Sequence, residues 1–265
     1  MSDLHTGTIE DAALAPALTG LVERLEPELV VATGDVTHRN RRPQHEKAAA
    51  LLRGLGAPLL VIPGNHDIPR MPPGRFTKTF AEFEREWPET EPVHASAAYH
   101  VVGLNSVRPW RQQSGGVRRS QLSWAAERLR EAAPGALRVV ALHHHMIGAP
   151  WRTRKKPVAE RNRVLGSLVD SGAELILAGH THQGAVSERR EFEVVVGDVG
   201  AVLVSVAPGL GQPRPRRRGE ARGLHVYEAE DSTIAVSTYI WRESDWALTA
   251  ERLFPRGMRP LSAES

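Results

Sequence analysis

Five short β-rich runs recur along the chain: LVVAT (29–33), PLLVI (58–62), AAYHVVGLNS (97–106), LRVVALHH (137–144) and ELILAG (174–179). They alternate with stretches of helical periodicity at 10–26, 44–54, 76–86, 119–133 and 158–171. Strand, helix, strand requires a crossover, so these strands are expected to pair in parallel with the helices packed outside. After residue 190 the pattern changes. FEVVVGDV (192–199), AVLVSVAP (201–208), GLHVYEAE (223–230) and TIAVSTYIW (233–241) follow with no helix between them. That predicts an antiparallel run, and hence a mixed α/β fold with two sheets face to face.

The chain has 265 residues, 41% of them hydrophobic, which suits one large domain with a sizeable core. The domain is expected over 1–241 and a weakly periodic tail over 242–265. PRPRRRG (213–219) reads as a solvated loop. No apolar run reaches the roughly 18 residues of a membrane span, and no basic segment followed by an apolar one reads as a signal peptide. With no cysteine, disulfides, thiolate metal sites and cysteine nucleophiles are excluded, and a cytoplasmic location is expected. A net charge of +3 mildly suits an anionic substrate without arguing for nucleic acid.

The polar residues cluster where the strands end. LVVAT runs into Gly34-Asp35, PLLVI into Gly64-Asn65-His66-Asp67, RVVAL into His143-His144-His145, and LILA into Gly179-His180-Thr181-His182. Ligands of α/β sheets bind at the carboxyl ends of strands, so segments far apart in sequence are expected to converge there. Asp3 and His5 complete the set if they too follow a strand. Carboxylate, amide and imidazole donors without thiolate fit Mn, Fe or Zn. One Asp can bridge two ions through both oxygens, and paired ions can clamp a phosphoryl group and activate water. Each turn by itself is ordinary. Five of them in this order are not.

The ordered set S-D-L-H (2–5), G-D-V-T (34–37), G-N-H-D (64–67), L-H-H-H (142–145) and G-H-T-H (179–182) resembles the calcineurin-like metallophosphoesterase superfamily. GGVRRSQLSWAAERL (115–129) is similar to a Gln-Leu-x-Trp helix of the bacterial class III cyclic-nucleotide phosphodiesterases. The resemblance implies a four-layer αββα sandwich and a dinuclear centre of divalent or mixed-valence ions. It implies that Asp3, His5 and His182 hold one ion, that Asn65, His143 and His180 hold the other, and that Asp35 bridges them. His143 matches the family ligand better than His144, because it directly follows the strand. His145 departs from the pattern. His66 would serve the leaving oxygen rather than a metal, with Asn65 also touching substrate, and a metal-bound hydroxide would attack phosphorus. The expected activity is hydrolysis of a small phosphoester, such as a cyclic nucleotide or other diester. A phosphomonoesterase, a nuclease or a non-catalytic scaffold on the same fold is the alternative.

Several residues match no family position. His38, His45, His94, His100 and His225 read as ordinary packed or surface histidines. Arg152, Arg154, Lys155 and Lys156 read as a solvated basic loop or a phosphate contact, and Trp110 and Trp151 as packing residues or base-stacking platforms. Only Met1 and Ser2 precede Asp3, so the first strand is expected to be largely missing. A start assigned too far downstream, a truncated chain, or a protein that manages with unpaired edges would each account for this. Two residues of free chain would hold Asp3 and His5 loosely.

Overall fold

The computed structural model describes residues 1–8, 12–151, 153–191, 202–211 and 220–257. In chain order its elements are α1 (Leu14–Leu25), β1 (Val30–Ala32), α2 (Arg42–Arg53), β2 (Leu59–Val61), α3 (Gly74–Thr77), α4 (Ala81–Glu84), β3 (Val93–Ala95), β4 (Tyr99–Leu104), α5 (Arg119–Arg130), β5 (Leu137–Leu142), α6 (Arg161–Asp170), β6 (Leu175–Ala178), β7 (Ala185–Glu188), β8 (Leu203–Val206), β9 (Gly223–Ala229), β10 (Thr233–Arg242) and β11 (Asp245–Pro255).

Six strands form one sheet in the order β3-β4-β5-β6-β8-β7, parallel from β4 to β8 and antiparallel at both edges. Alternation along each strand divides its side chains between two cores. Val101, Val139, Leu175 and Leu177 face the second sheet, where Leu60, Ile62, Ile234 and Phe254 meet them. Val102, Leu104, Val140 and Ile176 face Leu122 and Leu129 of α5 and Leu165 and Leu168 of α6. On the far side, Leu18, Leu21 and Leu52 of α1 and α2 cover Val30, Ala32 and Trp241. The layers are therefore α, β, β, α. Registers of Leu104 with Leu142 and of Ala141 with Leu177 make the central strands end level. His143 and Gly179 then emerge at one edge.

The second sheet layer holds the parallel pair β1–β2 and the antiparallel β9-β10-β11. Residues 1–3 and 209–211 lie between the two pieces, Ser2 bridging Gly209 and Gly209 bridging Arg222. The Met1 ammonium donates to the Val31 carbonyl at 2.9 Å. The Leu210 N–H donates to the Ser2 carbonyl at 3.0 Å, and the Gly211 N–H to the Asp3 carbonyl at 2.7 Å. Asp3 is thus held from both sides, which corrects the expectation of a loosely held start. Away from this point β1 and β9 part. A cavity of about 460 Å³ lies there, bordered by Met1, Val31, Tyr99, Leu177, Leu224 and Tyr227.

That gap has the walls of a strand slot. A fused extension of about five apolar residues ahead of Met1 is expected to enter it and pair with the facing edges. Two or three buried side chains at about 1.5–3 kcal/mol each, and about 2–4 °C per kcal/mol at this size, raise Tm by about 5 °C or more. An unchanged Tm in a thermal melt would show that the gap does not accept a strand.

Other expectations need correction. β8 does not join the antiparallel strands that follow it: it lies between β6, parallel to it, and β7, antiparallel to it, because Leu203–Val206 is buried at every residue and so suits a sheet interior. The tail expected from 242 contains β11, which pairs along β10. Its periodicity is weak because Trp246 and Phe254 are its buried residues, far apart among exposed ones. The helix expected over 76–86 is two single turns, interrupted where Lys78 leaves helical geometry at φ −138°. FEVVVGDV (192–199), PRPRRRG (213–219) and Arg152 lie outside the described residues.

Candidate metal centre

The turns at the strand ends carry unusual backbone. Asp3, His5, Asp35, His180 and His182 have φ of 54°, 47°, 51°, 74° and 59°. A left-handed conformation is costly for residues with a Cβ and persists where surroundings over-determine it. Asp67 supplies much of that constraint. Its carboxylate accepts the N–H groups of Val36 at 3.1 Å, Thr37 at 2.8 Å and Gly64 at 2.8 Å, and the Thr37 hydroxyl at 2.8 Å. The Gly-Asp turn is thereby tied to the Gly-Asn-His turn. Gly64 must lack a side chain, because a Cβ there would stand 2.8 Å from the Asp35 Cα. Burial, then the charge of Asp35, pushes the Asp67 carboxyl up, while these donors pull it down.

The predicted ligands converge as two clusters joined by one carboxylate. In the first, His5 Nε2 lies 3.1 Å from His182 Nε2, and Asp3 Oδ1 lies 3.2 Å from His182 Nε2 and 3.7 Å from His5 Nε2. In the second, His143 Nε2 lies 3.1 Å from Asn65 Oδ1 and 3.2 Å from His180 Nδ1. Asp35 spans them: Oδ1 is 3.5 Å from His143 Nε2 and Oδ2 is 3.7 Å from His5 Nε2. The outer atoms are fixed from behind. His143 Nδ1 donates to the Thr33 carbonyl at 2.8 Å, and His180 Nε2 to the Gln113 carbonyl at 3.0 Å. Both rings therefore turn their second nitrogen inward, the atom that an imidazole ligates with once it carries no proton. Asp3 Oδ2 accepts the Ser2 hydroxyl and the His180 N–H. Asp3 Oδ1 and Asp35 Oδ2 are buried and accept no hydrogen bond. Buried carboxylate oxygens without a donor are costly, and divalent cations are what this donor set fits.

Burial comes first among the influences on these groups. It pushes His5 down to about 4 in spite of Asp3, and holds His180 well below the ordinary range. His143 is the exception: against burial, Asp35 raises it to about 9. Asp3 and Asp35 stay well below the carboxylate range despite burial, Asp3 chiefly through His182 and Asp35 through His143. At pH 7–8 His5 and His180 are neutral and ready to ligate, whereas His143 must give up a proton. Metal loading is therefore expected to release about one proton per chain from His143. Affinity at that position rises with pH and levels off above about 9. Calorimetry in buffers of different ionisation enthalpy reads the count, and a release near zero would remove His143 from the ligand set.

The remaining residues sort differently. His144 turns away, its Nδ1 2.8 Å from the Ser106 hydroxyl. His45 Nε2 meets Asn40 Oδ1 at 2.8 Å, His94 stacks on Tyr99, His100 lies in β4, and His225 meets Ser205. Trp110 and Trp151 are exposed, the Trp151 N–H donating to Gln183 beside His182. Lys155 acts on His180 through its charge, while Arg154 and Lys156 are exposed. His38 was expected to be ordinary, yet it stands at the cluster. One of its nitrogens lies within 4.8 Å of nitrogens of His5 and His66. The signal was its place three residues after Asp35 in the same turn. His66 donates its N–H to Asp35 Oδ1 at 2.7 Å and Nδ1–H to the His38 carbonyl at 2.9 Å.

A family model described as calcineurin-like phosphoesterase matches residues 1–184. A probable cyclic nucleotide phosphodiesterase of Synechococcus sp. is 27% identical over 202 residues, 71% of this chain and 74% of that protein. A cAMP/cGMP dual specificity phosphodiesterase of Mycobacterium tuberculosis is 25% identical over 209 residues, 77% of this chain and 64% of that protein. Among solved structures, a purple acid phosphatase from yellow lupin (Lupinus luteus) seeds aligns with a TM-score of 0.71 at 12% identity, over 100% of this chain and 54% of that one. A dimetal phosphatase from Danio rerio aligns with a TM-score of 0.66 at 13% identity, over 97% and 98%. At such identities the two structures speak for the shared fold.

Proposed function

This chain belongs to the calcineurin-like phosphoesterase family, a family of metallophosphoesterases, and on that premise we propose that it hydrolyses a small phosphodiester at a dinuclear centre. The observation that carries the reading is Asp35, whose two oxygens face two separate donor clusters at 3.5 and 3.7 Å. Asp3, His5 and His182 would hold one divalent ion, and Asn65, His143 and His180 the other, with Asp35 between them. Mn, Fe or Zn suits oxygen and imidazole donors. When bound, such a pair polarises a phosphoryl oxygen and makes hydroxide available from water near neutral pH.

The chain's own residues supply the rest. Asn65 would also orient the phosphoryl group. His66 is half-buried, with Nδ1–H committed to the His38 carbonyl. A further proton on this ring therefore sits on Nε2, where the leaving oxygen can take it as its bond to phosphorus breaks. The phosphodiesterase relatives favour a diester, with a cyclic nucleotide as the first candidate. Against a scaffold without metals stand the two buried carboxylate oxygens that accept no hydrogen bond.

With Mn²⁺ supplied, the protein is expected to turn over bis(p-nitrophenyl) phosphate and 3′,5′-cyclic AMP, and a chelator is expected to abolish both activities. Folded protein that carries two ions and hydrolyses no diester would sink the reading. Turnover of the aryl diester without the cyclic nucleotide would keep the mechanism and change the substrate.

A further inference from the structure

We propose that His38 is a second substrate-contacting imidazole, standing beside His66 and donating a ring N–H to the leaving-group oxygen. The inference rests on the reading above and adds a residue to it.

Three rings meet beside the first cluster: His5, His38 and His66. His38 and His66 stack with centroids 5.6 Å apart and planes 21° apart, and His38 meets His5 edge-on at 5.8 Å. His5 is fully buried, whereas His38 and His66 are half-buried. The His38 backbone is fixed at both polar atoms: its N–H donates to the Thr6 carbonyl at 3.1 Å, and its carbonyl accepts His66 Nδ1 at 2.9 Å. Thr37, the residue before it, is clamped on Asp67. The turn that carries Asp35 therefore carries the His38 ring to the same side as His66. A nitrogen of each ring lies within 4.8 Å of the other, close enough for one oxygen placed between them to meet both.

Two donors can then share the charge that develops on that oxygen. The P–O bond to the leaving group breaks and its electron pair goes to the leaving oxygen. That oxygen takes a proton from His66 Nε2, while water forms the new P–O bond and gives up a proton to solvent. His38 keeps its proton throughout. Its side chain can be changed without touching the backbone carbonyl that anchors His66, so variants isolate what the ring does.

The test uses His38→Ala and His38→Gln in the full chain loaded with Mn²⁺. Substrates are methyl aryl phosphates whose leaving groups run from 2,4-dinitrophenolate to phenolate. His38→Ala is expected to lower kcat/KM about threefold or less for the good leaving group and about 30-fold or more for the poor one. The Gln amide N–H is expected to restore part of the loss. Inorganic phosphate binding, measured by calorimetry without turnover, weakens about threefold or more, and both ions stay. A uniform loss across the leaving groups with unchanged phosphate binding overturns the proposal. Loss of an ion from both variants also overturns it, by making His38 a metal-holding residue. A loaded wild type that turns over no diester would defeat the underlying reading, which separates that failure from this one.

Discussion

Asp35→Asn is expected to empty the centre of both ions and to lower kcat/KM by about 10³-fold or more. The side chain is buried, with Oδ1 facing His143 and Oδ2 facing His5. An amide keeps the shape but loses the charge, and its nitrogen cannot ligate on one of the two sides. The rest of the turn should survive. The His66 N–H to Oδ1 contact has an amide oxygen to replace it, and Asp67 holds the neighbouring backbone independently. The metal-free variant should melt lower than the metal-free parent at neutral pH, because the buried pairing of Asp35 with His143 is lost. The variant also removes what raises His143 to about 9, so proton release on adding metal should vanish. Metal analysis with a thermal melt checks all of this. Retention of both ions with activity within about tenfold of the parent would show that Asp35 does not bridge.

His66→Ala is expected to act in the opposite way, leaving two ions in place and lowering kcat by about 10²–10⁴-fold. The reason lies in which atoms it removes. The His66 contact to Asp35 is made by its backbone N–H, which Ala keeps. What goes is the ring that His38 fixes through its carbonyl at 2.9 Å. The loss should be largest for leaving groups that need a proton most. An Ala variant that loses metal would place the ring among the ligands instead, since its nitrogen lies within 4.8 Å of those of His5 and His38.

The gathering of these polar side chains at one sheet edge was readable in the chain, because each is tied to a local signal. An apolar run ends, a glycine allows the turn, and a polar residue follows, as at Gly34-Asp35, Gly64-Asn65 and Gly179-His180. His38 carries a weaker signal, its place three residues after Asp35 with no glycine directly before it. It gains its place through the stacked ring of His66, which belongs to a turn 28 residues away. Elements with weak periodicity are hidden from a local reading for a related reason. β11 buries Trp246 and Phe254 at its two ends, and β8 becomes an inner strand only once β6 lies beside it.

The sequence by itself determined the alternation of the main strands and helices as far as β6, and the chemical identity of the polar groups at the strand ends. Both follow from propensities and turns that act over a few residues. The tertiary structure decided which of His143, His144 and His145 points inward. His143 does, because its Nδ1–H finds the Thr33 carbonyl 110 residues earlier, while Ser106 draws His144 aside. It also decided that the start of the chain is held, through pairing of residues 1–3 with segments near 31–34 and 209–211. That Asp35 turns one oxygen to each cluster was likewise settled in three dimensions. Ring orientation and carboxylate direction depend on partners distant in sequence, and no local pattern encodes them.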